Sequence, residues 1–356
     1  MADVLNQWSE RIRTAAAEGR ALCLRGGGSK DFYGGKPRGE VVDTRQHAGI
    51  VAHEPTELYV TARCGTPLAE LESVLAAQGQ CLAFEPPRLP GATVGGMVAA
   101  GLSGPRRAAA GAVRDFVLGV KVLDGEGRIL SFGGQVMKNV AGYDLSRLMA
   151  GSLGVLGLVA EVSLKVLPKP VAEATLRFEM PQEHALENLN AWAGKPLPVS
   201  ASCWHDGLLT LRLSGARAAV DAARERLGGD VLDESAARDF WAGRRDLADA
   251  CFAGPEPLWR LSLPSVAPVI DEAQSVEWGG AQRWWRTCRP AAEVRAAAEK
   301  AGGHATLFRR GAGDDGDGGV APFHPLAPAV LLLHKRLKRA FDPGGILNPG
   351  RLHPEL

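Results

Sequence analysis

The sequence predicts an α+β protein with a larger amino-terminal part and a smaller carboxy-terminal part. In the first half, short apolar runs and helical patterns are separated by glycine-rich stretches. Beyond Pro168-Lys169-Pro170 these stretches stop. Short strands with alternating apolar and polar residues are then interspersed with helical segments. At 356 residues the chain also exceeds the usual size of one hydrophobic core. We therefore expect one domain over 1–170, a domain of antiparallel strands with helices on one side over 171–325, and a carboxy-terminal segment over 326–356.

Composition and charge narrow the class of protein. A net charge of +1 gives no electrostatic footprint for nucleic acid. The six cysteines contain no Cys-x-x-Cys pair, which argues against an iron–sulfur cluster, a structural zinc or a disulfide framework. No apolar run is long enough to span a bilayer. We expect a cytoplasmic protein with no metal site and no membrane span of its own.

The first elements follow from hydrophobic periodicity. Leu5, Trp8 and Ile12 fall on one face of an opening helix that ends near Gly19. The apolar run 21–24 then predicts a strand, and Gly65-Thr66-Pro67 opens a second helix. Short connections between such elements are typical of an α+β unit.

The stretch Arg25-Gly26-Gly27-Gly28-Ser29-Lys30 directly follows the first strand. Consecutive glycines can take positive φ and let backbone N–H groups converge on an anion. Ser29 and Lys30 add a hydroxyl donor and a positive charge. The stretch predicts a pyrophosphate site, although a glycine-rich surface turn that binds nothing remains an alternative for this motif alone.

A nicotinamide-binding βαβ unit is the rival interpretation, with Asp43 at the end of a second strand as the ribose ligand. That unit needs a crossover helix before the acid. Residues 31–40 contain three glycines, a proline and no helical apolar period. The sequence therefore argues against this unit.

Two further glycine-rich regions follow. Pro90 to Gly104 consists almost entirely of small residues, which suits either close approach to a planar ligand or tight helix packing. Lys138 to Leu145 and Gly151 to Val159 come after a predicted hairpin, Val117 to Leu123 with Arg128 to Phe132. Three such regions in one half of a chain favour a shared ligand site over unrelated turns.

In this order the three regions resemble the FAD-binding domain of the vanillyl-alcohol oxidase and p-cresol methylhydroxylase flavoprotein family. The resemblance implies an FAD-binding domain of the p-cresol methylhydroxylase type, a smaller cap domain, and a carboxy-terminal segment that returns to the FAD domain. It also implies three groups of cofactor-binding residues. They are Arg25, Gly26, Gly27, Gly28, Ser29 and Lys30 at the pyrophosphate; Pro90, Gly91, Ala92, Thr93, Gly95, Gly96, Ser103 and Gly104 beside the flavin; and Lys138, Asn139, Gly142, Tyr143, Gly151, Ser152, Gly154, Gly157 and Val159 completing the site.

One departure from the family concerns the covalent flavin link. Covalently flavinylated members carry a histidine at or beside the end of the first loop, where this chain has Ser29 and Lys30. The resemblance therefore implies non-covalent FAD.

Catalysis on a 2-hydroxy acid needs a base and a cation or metal for the carboxylate. Catalytic members of the family carry a cluster of histidines and acids in the cap, and the nearest stretch here, 302–311, has one histidine and no acids. His304 and Arg309 are the candidate base and carboxylate clamp, although a lone histidine near a strand is more often structural.

Stretches of the second half, such as Trp204-His205-Asp206-Gly207 and Glu277-Trp278-Gly279-Gly280, resemble the family of FAD-binding subunits of glycolate oxidase over almost the whole chain. This implies a subunit, inactive alone, that works with a catalytic flavoprotein and an iron–sulfur subunit in oxidising glycolate to glyoxylate. Electrons would leave through flavin and iron–sulfur centres, and the complex would offer a route to peripheral association with the inner membrane. The alternatives are a self-sufficient FAD-dependent 2-hydroxy-acid dehydrogenase and a non-catalytic assembly subunit.

Overall fold

The computed structural model describes residues 2–134, 144–271, 274–314 and 319–356. The amino-terminal domain is an α+β unit, and its core lies where the predicted apolar faces meet. Its elements are α1 (Ala2–Glu18), β1 (Leu22–Arg25), β2 (Glu40–Asp43), β3 (Ile50–Glu54), β4 (Tyr59–Arg63), α2 (Leu68–Ala77), β5 (Gln80–Cys81), α3 (Val94–Ala100), α4 (Arg107–Ala110), α5 (Val113–Phe116), β6 (Val117–Leu123), β7 (Ile129–Gly133), α6 (Leu145–Leu148), β8 (Leu158–Lys165) and β9 (Leu167–Pro168).

Two sheets of this domain position the glycine-rich segments. β1 and β2 form a parallel pair. The second sheet has the antiparallel order β3-β4-β8-β6-β7 and packs against α2 and α3 through one hydrophobic core. The opening helix α1 buries Trp8 and Ile12 beside β1, as the helical spacing predicts.

The second domain is built on an eight-stranded antiparallel sheet. Its elements are β10 (Ala172–Glu179), α7 (Gln182–Ala193), β11 (Val199–His205), β12 (Leu208–Gly215), α8 (Arg217–Leu227), β13 (Asp230–Val231), α9 (Glu234–Arg245), β14 (Leu258–Ser262), β15 (Ser275–Glu277), β16 (Gln282–Arg286), α10 (Ala291–Lys300) and β17 (His304–Arg309). The strand order in the sheet is β13-β10-β12-β11-β15-β16-β14-β17. Two short 3₁₀ turns, Ala250–Phe252 and Trp278–Gly280, accompany it.

The helices of this domain lie on both faces of the sheet, so the expectation of helices on one side was wrong. On β11, Trp204 points to the core that α7 and α8 share, whereas its neighbour Cys203 packs against Trp241 of α9. Successive strand residues point to opposite faces, so α9 lies across the sheet from α7 and α8. We call the α9 side the inner face, because the same side meets the amino-terminal domain.

The last helix, α11 (Pro328–Phe341), leads the chain back to β1. Leu22 donates its N–H to the carbonyl of Ile346 (2.7 Å) and accepts from the N–H of Asn348 (2.9 Å). The carboxy-terminal run, residues 342–351, therefore lies beside β1, on the edge opposite β2.

Within the described residues, no helix combines the length and apolar character needed to cross a membrane. In the same part of the chain, no group of three or more His, Cys, Asp or Glu side chains is arranged to hold a metal ion. All six cysteines are free thiols.

Candidate functional site

The first glycine-rich stretch opens onto a groove at the end of β1, which we call the glycine groove. It encloses about 570 Å³ of space free of protein atoms, part of it open to solvent. Its walls come from four places in the sequence: β1 with the loop after it, α3 with the residue before it, Leu153, and the carboxy-terminal run. The lining residues are Cys23, Leu24, Arg25, Gly26, Gly27, Gly28, Ser29, Lys30, Asp31, Pro37, Thr93, Gly96, Ala99, Ala100, Leu153, Asn348 and Arg351.

The connection between β1 and β2 contains no helix, as the sequence predicts. The strands run parallel in register from Leu22 with Glu40 to Arg25 with Asp43. Residues 26–39 join them as turns and bends alone. A nicotinamide-type βαβ unit is therefore absent here.

Glycine is required in this loop because other backbone lies against it. A Cβ on Gly27 would be 1.7 Å from the carbonyl oxygen of Gly91, and a Cβ on Gly26 would be 2.4 Å from Oγ1 of Thr93. Gly28 has φ +71°, in the left-handed region. The first and second glycine-rich regions thus meet by direct contact of bare main chain.

The loop presents a row of unused hydrogen-bond donors. Within the described chain, the backbone N–H groups of Gly26, Gly27, Gly28, Ser29 and Lys30 donate to no protein acceptor. Consecutive N–H groups in a turn conformation form a concave anion site. A phosphate is the type of ligand that satisfies several such donors together.

Lys30 places a buried positive charge in the same groove. It is 8% exposed, and its only polar neighbour among the described residues is Oγ of Ser29, 3.4 Å from Nζ. Burial lowers the pKa of the Lys30 ammonium to about 8. A buried charge without a partner is costly, so the groove is built to receive an anion.

A second buried cation comes from the carboxy-terminal run. Arg351 is also 8% exposed, and it donates to the carbonyls of Lys30 (3.4 Å), Asp31 (3.2 Å) and Gly35. All three acceptors are neutral, and burial lowers the pKa of Arg351. Arg25, by contrast, is neutralised by Asp31, with Nε 2.8 Å from Oδ2.

Asn348 fixes the relative position of two walls of the groove. Its Oδ1 accepts from the N–H of Leu24 (2.6 Å), and its Nδ2 donates to the carbonyl of Leu153 (2.7 Å). Leu153 belongs to the third glycine-rich region, and the residue after it, Gly154, lies against the Asn348 amide. Sequence reasoning missed Asn348 and Arg351. The signal was an asparagine and a cation within a run of glycine and proline, read only as a chain terminus.

We expect Asn348→Ala to lower the free energy of unfolding by about 2–4 kcal/mol. The change removes two buried hydrogen bonds and places alanine at φ +44°. Asn348→Gly is the matched variant, because it loses the same hydrogen bonds without the backbone strain and is expected to lose less. Urea unfolding measures both, and unchanged stability of Asn348→Ala would contradict the bridging role.

Several residues predicted to bind the cofactor pack elsewhere. Gly95 contacts Cys64, where a Cβ would be 2.6 Å from the Cys64 Cβ, and Gly157 lies against Val122 of β6. Val159 is buried in the core of the five-stranded sheet. Gly104 accepts from Nε1 of Trp278 and so contacts the second domain. These positions need small or apolar residues for packing, which the sequence pattern does not separate from ligand contact.

The other predicted residues divide into two groups. One group lies next to groove-lining residues without lining the groove itself: Gly91, Ala92, Ser152 and Gly154, with Pro90 and Gly151 one residue further along the chain and Ser103 in the wall of a separate cavity. The other group lies outside the described residues: Lys138, Asn139, Gly142 and Tyr143. The predicted proximity of the first and third regions holds for Gly26 to Gly28 and Leu153, which line one groove.

Aromatic side chains fill the space between the groove and the inner face of the second domain. Ring centroids are 5.2 Å apart for Tyr33 and Phe308, 4.9 Å for Phe308 and Trp284, and 5.2 Å for Trp284 and Phe252. We call these four residues the aromatic cluster. They belong to a hydrophobic core that joins the two domains.

The candidate catalytic pair is not brought together. His304 and Arg309 occupy opposite ends of β17, five residues apart, or about 16 Å along an extended strand. His304 is exposed beside His324, and Arg309 donates to the carbonyl of Phe252. This geometry does not support a shared role as base and carboxylate clamp.

The inner face beside the aromatic cluster offers one buried carboxylate, and it is fully engaged. Glu277 is 3% exposed and accepts from Nε of Arg244 (2.8 Å), Nε2 of Gln282 (2.8 Å) and Nε1 of Trp284 (3.0 Å). Both carboxylate oxygens of Glu277 are occupied by side-chain donors. Glu277 is therefore a structural anchor of the sheet.

Comparison with known protein families supports the interpretation of both termini of the chain. Residues 4–133 match the model of an FAD binding domain, and residues 326–352 match that of the FAD linked oxidases, C-terminal domain. The chain is 46% identical over 350 residues to glycolate oxidase subunit GlcE of Escherichia coli (strain K12), which covers 98% of this chain and 97% of that protein. The chain belongs to the FAD-linked oxidase family. Its FAD-binding domain is of the p-cresol methylhydroxylase type, as the sequence predicted.

Other members of the family match the first half of the chain. Glycolate oxidase subunit GlcD of Bacillus subtilis (strain 168) is 32% identical over 169 residues, or 47% of this chain and 36% of that protein. Among solved structures, 4-ethylphenol oxidase from Gulosibacter chungangensis superposes with a TM-score of 0.69 at 14% identity, covering 99% of this chain and 88% of that one. The latter comparison shows a shared fold.

Family membership makes FAD the cofactor and the chain an FAD-dependent oxidoreductase. The glycine groove fits the pyrophosphate of that cofactor on its own geometry. Five unused N–H donors and the unpaired ammonium of Lys30 converge where the first loop, α3 and Leu153 meet. The match over 326–352 also includes Asn348 and Arg351, the two groove residues that sequence reasoning missed.

Proposed function

We propose that this chain is the FAD-binding subunit of a multi-subunit glycolate oxidase that converts glycolate to glyoxylate. The observation that carries the proposal is the 46% identity to a glycolate oxidase subunit over nearly the full length of both chains. Electrons pass through flavin and the iron–sulfur centres of a partner to an acceptor. The chain acts in the cytoplasm beside a larger catalytic flavoprotein, and any contact with the inner membrane is peripheral, through the complex.

In this proposal the chain's own residues bind and orient the cofactor. The N–H groups of Gly26 to Lys30 and the Lys30 ammonium would hold the pyrophosphate, while Asn348 keeps the end of β1 and the third region in place. FAD supplies the capacity to accept and pass on electrons. Ser103 and Gly104, at the boundary with the second domain, are the residues that would flank the flavin part of the cofactor.

The proposal assigns an accessory role because, among the described residues, neither Glu277 nor the predicted pair of His304 and Arg309 is placed to take a proton from a substrate beside the aromatic cluster. The aromatic cluster occupies the position beside the groove, Glu277 is held by three donors, and His304 and Arg309 are far apart. Hydroxy-acid oxidation needs a group that takes the hydroxyl proton. The partner flavoprotein supplies that chemistry.

Trichloroacetic acid should release the flavin of the purified chain into the supernatant. The reason is that Ser29 and Lys30 stand where covalently flavinylated family members carry histidine. Absorbance of supernatant and pellet measures the distribution of flavin. Flavin that remains on the pellet would contradict non-covalent binding.

Co-expression with its partner subunits tests the assignment to a complex. Complexes with and without this chain are compared for flavin content, iron content and glycolate-dependent dye reduction. We expect glycolate oxidation to require the chain and the chain to bring one additional flavin. Activity that is unchanged without it would contradict a role in the oxidase, and an intact complex with no added flavin would favour an assembly subunit.

A further inference from the structure

A small cavity lies between the second glycine-rich region and the inner face of the second domain. It encloses about 310 Å³ of free space, part of it open to solvent. Residues 102–105 form one wall, and Arg260, Glu277, Trp284 and Phe308 form the other. The wall on the FAD-domain side includes Ser103 and Gly104, so under the proposed function the cavity adjoins the flavin ring.

Arg260 differs from the other arginines of this cavity because, within the described chain, it forms no ion pair with a carboxylate. Arg244 is paired with Glu277 (2.7 Å), and Arg245 is paired with Asp246 (2.6 Å). The one hydrogen bond of Arg260 within the described chain is from Nη2 to the hydroxyl of Tyr33, at 3.1 Å. The cavity therefore holds one positive charge that no carboxylate matches.

The surroundings of Arg260 hold its guanidinium in place and leave donors free. The guanidinium carbon lies 5.7 Å from the ring centres of both Tyr33 and Phe308. A guanidinium has five N–H donors in a planar fork, and one hydrogen bond to a neutral hydroxyl uses one of them. A planar anion that accepts two parallel hydrogen bonds is the natural complement of the remaining N–H donors.

The size of the cavity restricts the ligand. Leu102, Trp284 and Phe308 are among its lining side chains, and because only part of its 310 Å³ is enclosed, a small anion fits better than a bulky one. A carboxylate has the planar, two-oxygen geometry that the guanidinium fork prefers. The structure therefore favours a small carboxylate over a phosphorylated or aromatic molecule.

Tyr33 links this cavity to the glycine groove. Its ring is 4% exposed, and its N–H donates to the carbonyl of Lys30 at 3.0 Å. The same turn thus carries the groove's buried ammonium and the hydroxyl that contacts Arg260. An anion at Arg260 is held beside the cofactor site by one short stretch of chain.

We infer that Arg260, with the Tyr33 hydroxyl beside it, forms a binding subsite for a small carboxylate anion of the 2-hydroxy-acid or 2-oxo-acid type. The choice of this class of carboxylate rests on the proposed function. Because Glu277 is fully engaged, the subsite binds the anion and performs no proton abstraction. The subunit therefore binds a substrate or product of the complex without converting it.

The test titrates the purified, FAD-loaded chain with oxalate, a carboxylate that cannot be oxidised as a hydroxy acid, and with glycolate. Calorimetry measures binding directly, and the flavin absorption spectrum reports binding next to the ring. Arg260→Gln should weaken oxalate binding about ten- to hundredfold, because it removes charge-assisted hydrogen bonds. The oxalate affinity of Arg260→Lys should lie between those of the wild type and Arg260→Gln, since lysine keeps the charge and loses the planar fork of donors.

Arg238→Gln is the matched control, since Arg238 is an exposed arginine of α9 that does not line this cavity, and the change should leave oxalate binding unchanged. Flavin content and thermal unfolding of each variant show whether the fold is intact, and Tyr33→Phe gives a second, milder test if Arg260→Gln does not fold. Wild-type affinity in Arg260→Gln, or an equal loss in Arg238→Gln, would overturn the subsite. Wild-type chain that carries FAD and binds no oxalate would overturn the subsite alone, whereas a chain without FAD would overturn the proposed function.

Discussion

Lys30→Met is expected to stabilise the FAD-free protein and to weaken FAD binding about ten- to hundredfold. Methionine keeps the apolar length of the side chain and removes an ammonium that is buried without an acid. The same ammonium is the groove's buried donor toward phosphate, and charge-assisted hydrogen bonds of this kind contribute about 1.5–3 kcal/mol. A purely structural lysine would change stability and cofactor affinity in the same direction.

The lowered pKa of Lys30 also predicts how the free energy of unfolding of the FAD-free protein changes with pH. The pKa of Lys30 is about 8 in the folded, FAD-free protein, compared with about 10.4 in an unfolded chain. Between these values the unfolded state binds the proton and the folded state does not, so the free energy of unfolding rises with pH over that window. Below pH 8 the full cost, on the order of 3 kcal/mol, is present. The free energy of unfolding of Lys30→Met should not show this rise with pH.

FAD affinity should depend on pH in the opposite sense. Above pH 8 the groove lysine is neutral before FAD binds, so binding must take up a proton and affinity falls. Fluorescence titration with FAD at pH 7 and pH 9.5 measures this difference. Lys335→Met is the control, because Lys335 is exposed and paired with Glu355 and should affect neither quantity. Equal FAD affinity of Lys30→Met and wild type would contradict the assignment of Lys30.

Gly27→Ala is expected to reduce FAD affinity by more than about a hundredfold and to lower the free energy of unfolding by about 1–3 kcal/mol. The added Cβ would lie 1.7 Å from the Gly91 carbonyl oxygen, so the first and second glycine-rich regions must separate. Displacement of a binding loop by about 1 Å is enough for losses of this size. Flavin content after gel filtration and urea unfolding measure the two effects.

Gly194→Ala is the matched control for this change. Gly194 ends α7 at φ −82°, and a Cβ there meets no atom within 4 Å. It should retain wild-type flavin and stability. Full flavin content in Gly27→Ala would show that the contact between the two loops is dispensable.

Local patterns in the sequence predicted the elements around the site. The spacing of Trp8 and Ile12 predicted α1, and the absence of an apolar period in 31–40 predicted a β1–β2 connection without a helix. The glycine run predicted an anion site because consecutive glycines adopt backbone conformations that other residues rarely adopt. In these places local preference and tertiary structure agree.

The parts of the site that depend on long-range contact could not be predicted in this way. Asn348 lies 324 positions from Leu24 of β1, and Arg351 lies 320 positions from Asp31 in the loop, so no local period connects them with their partners. Gly95 and Gly157 follow the same glycine pattern as the groove, yet they pack against Cys64 and Val122. Glycine marks a close approach and does not say whether the neighbour is a ligand or the protein.

In the second domain, too, local sequence patterns did not predict which elements come together. Alternation within β11 gives each strand two faces, but it does not say which face a given helix covers, and α9 lies opposite α7 and α8. Placing His304 and Arg309 in one motif also ignored that an extended strand separates residues five apart by about 16 Å. Sheet geometry applied to the motif would have shown this separation.

On the proposed function, this chain binds FAD but does not itself complete hydroxy-acid oxidation. The most direct test mixes the FAD-loaded chain, free of partner subunits and oxygen, with excess glycolate and follows the flavin absorption band. We predict that the band persists with glycolate and is lost on addition of dithionite. Rapid bleaching by glycolate alone would contradict the claim.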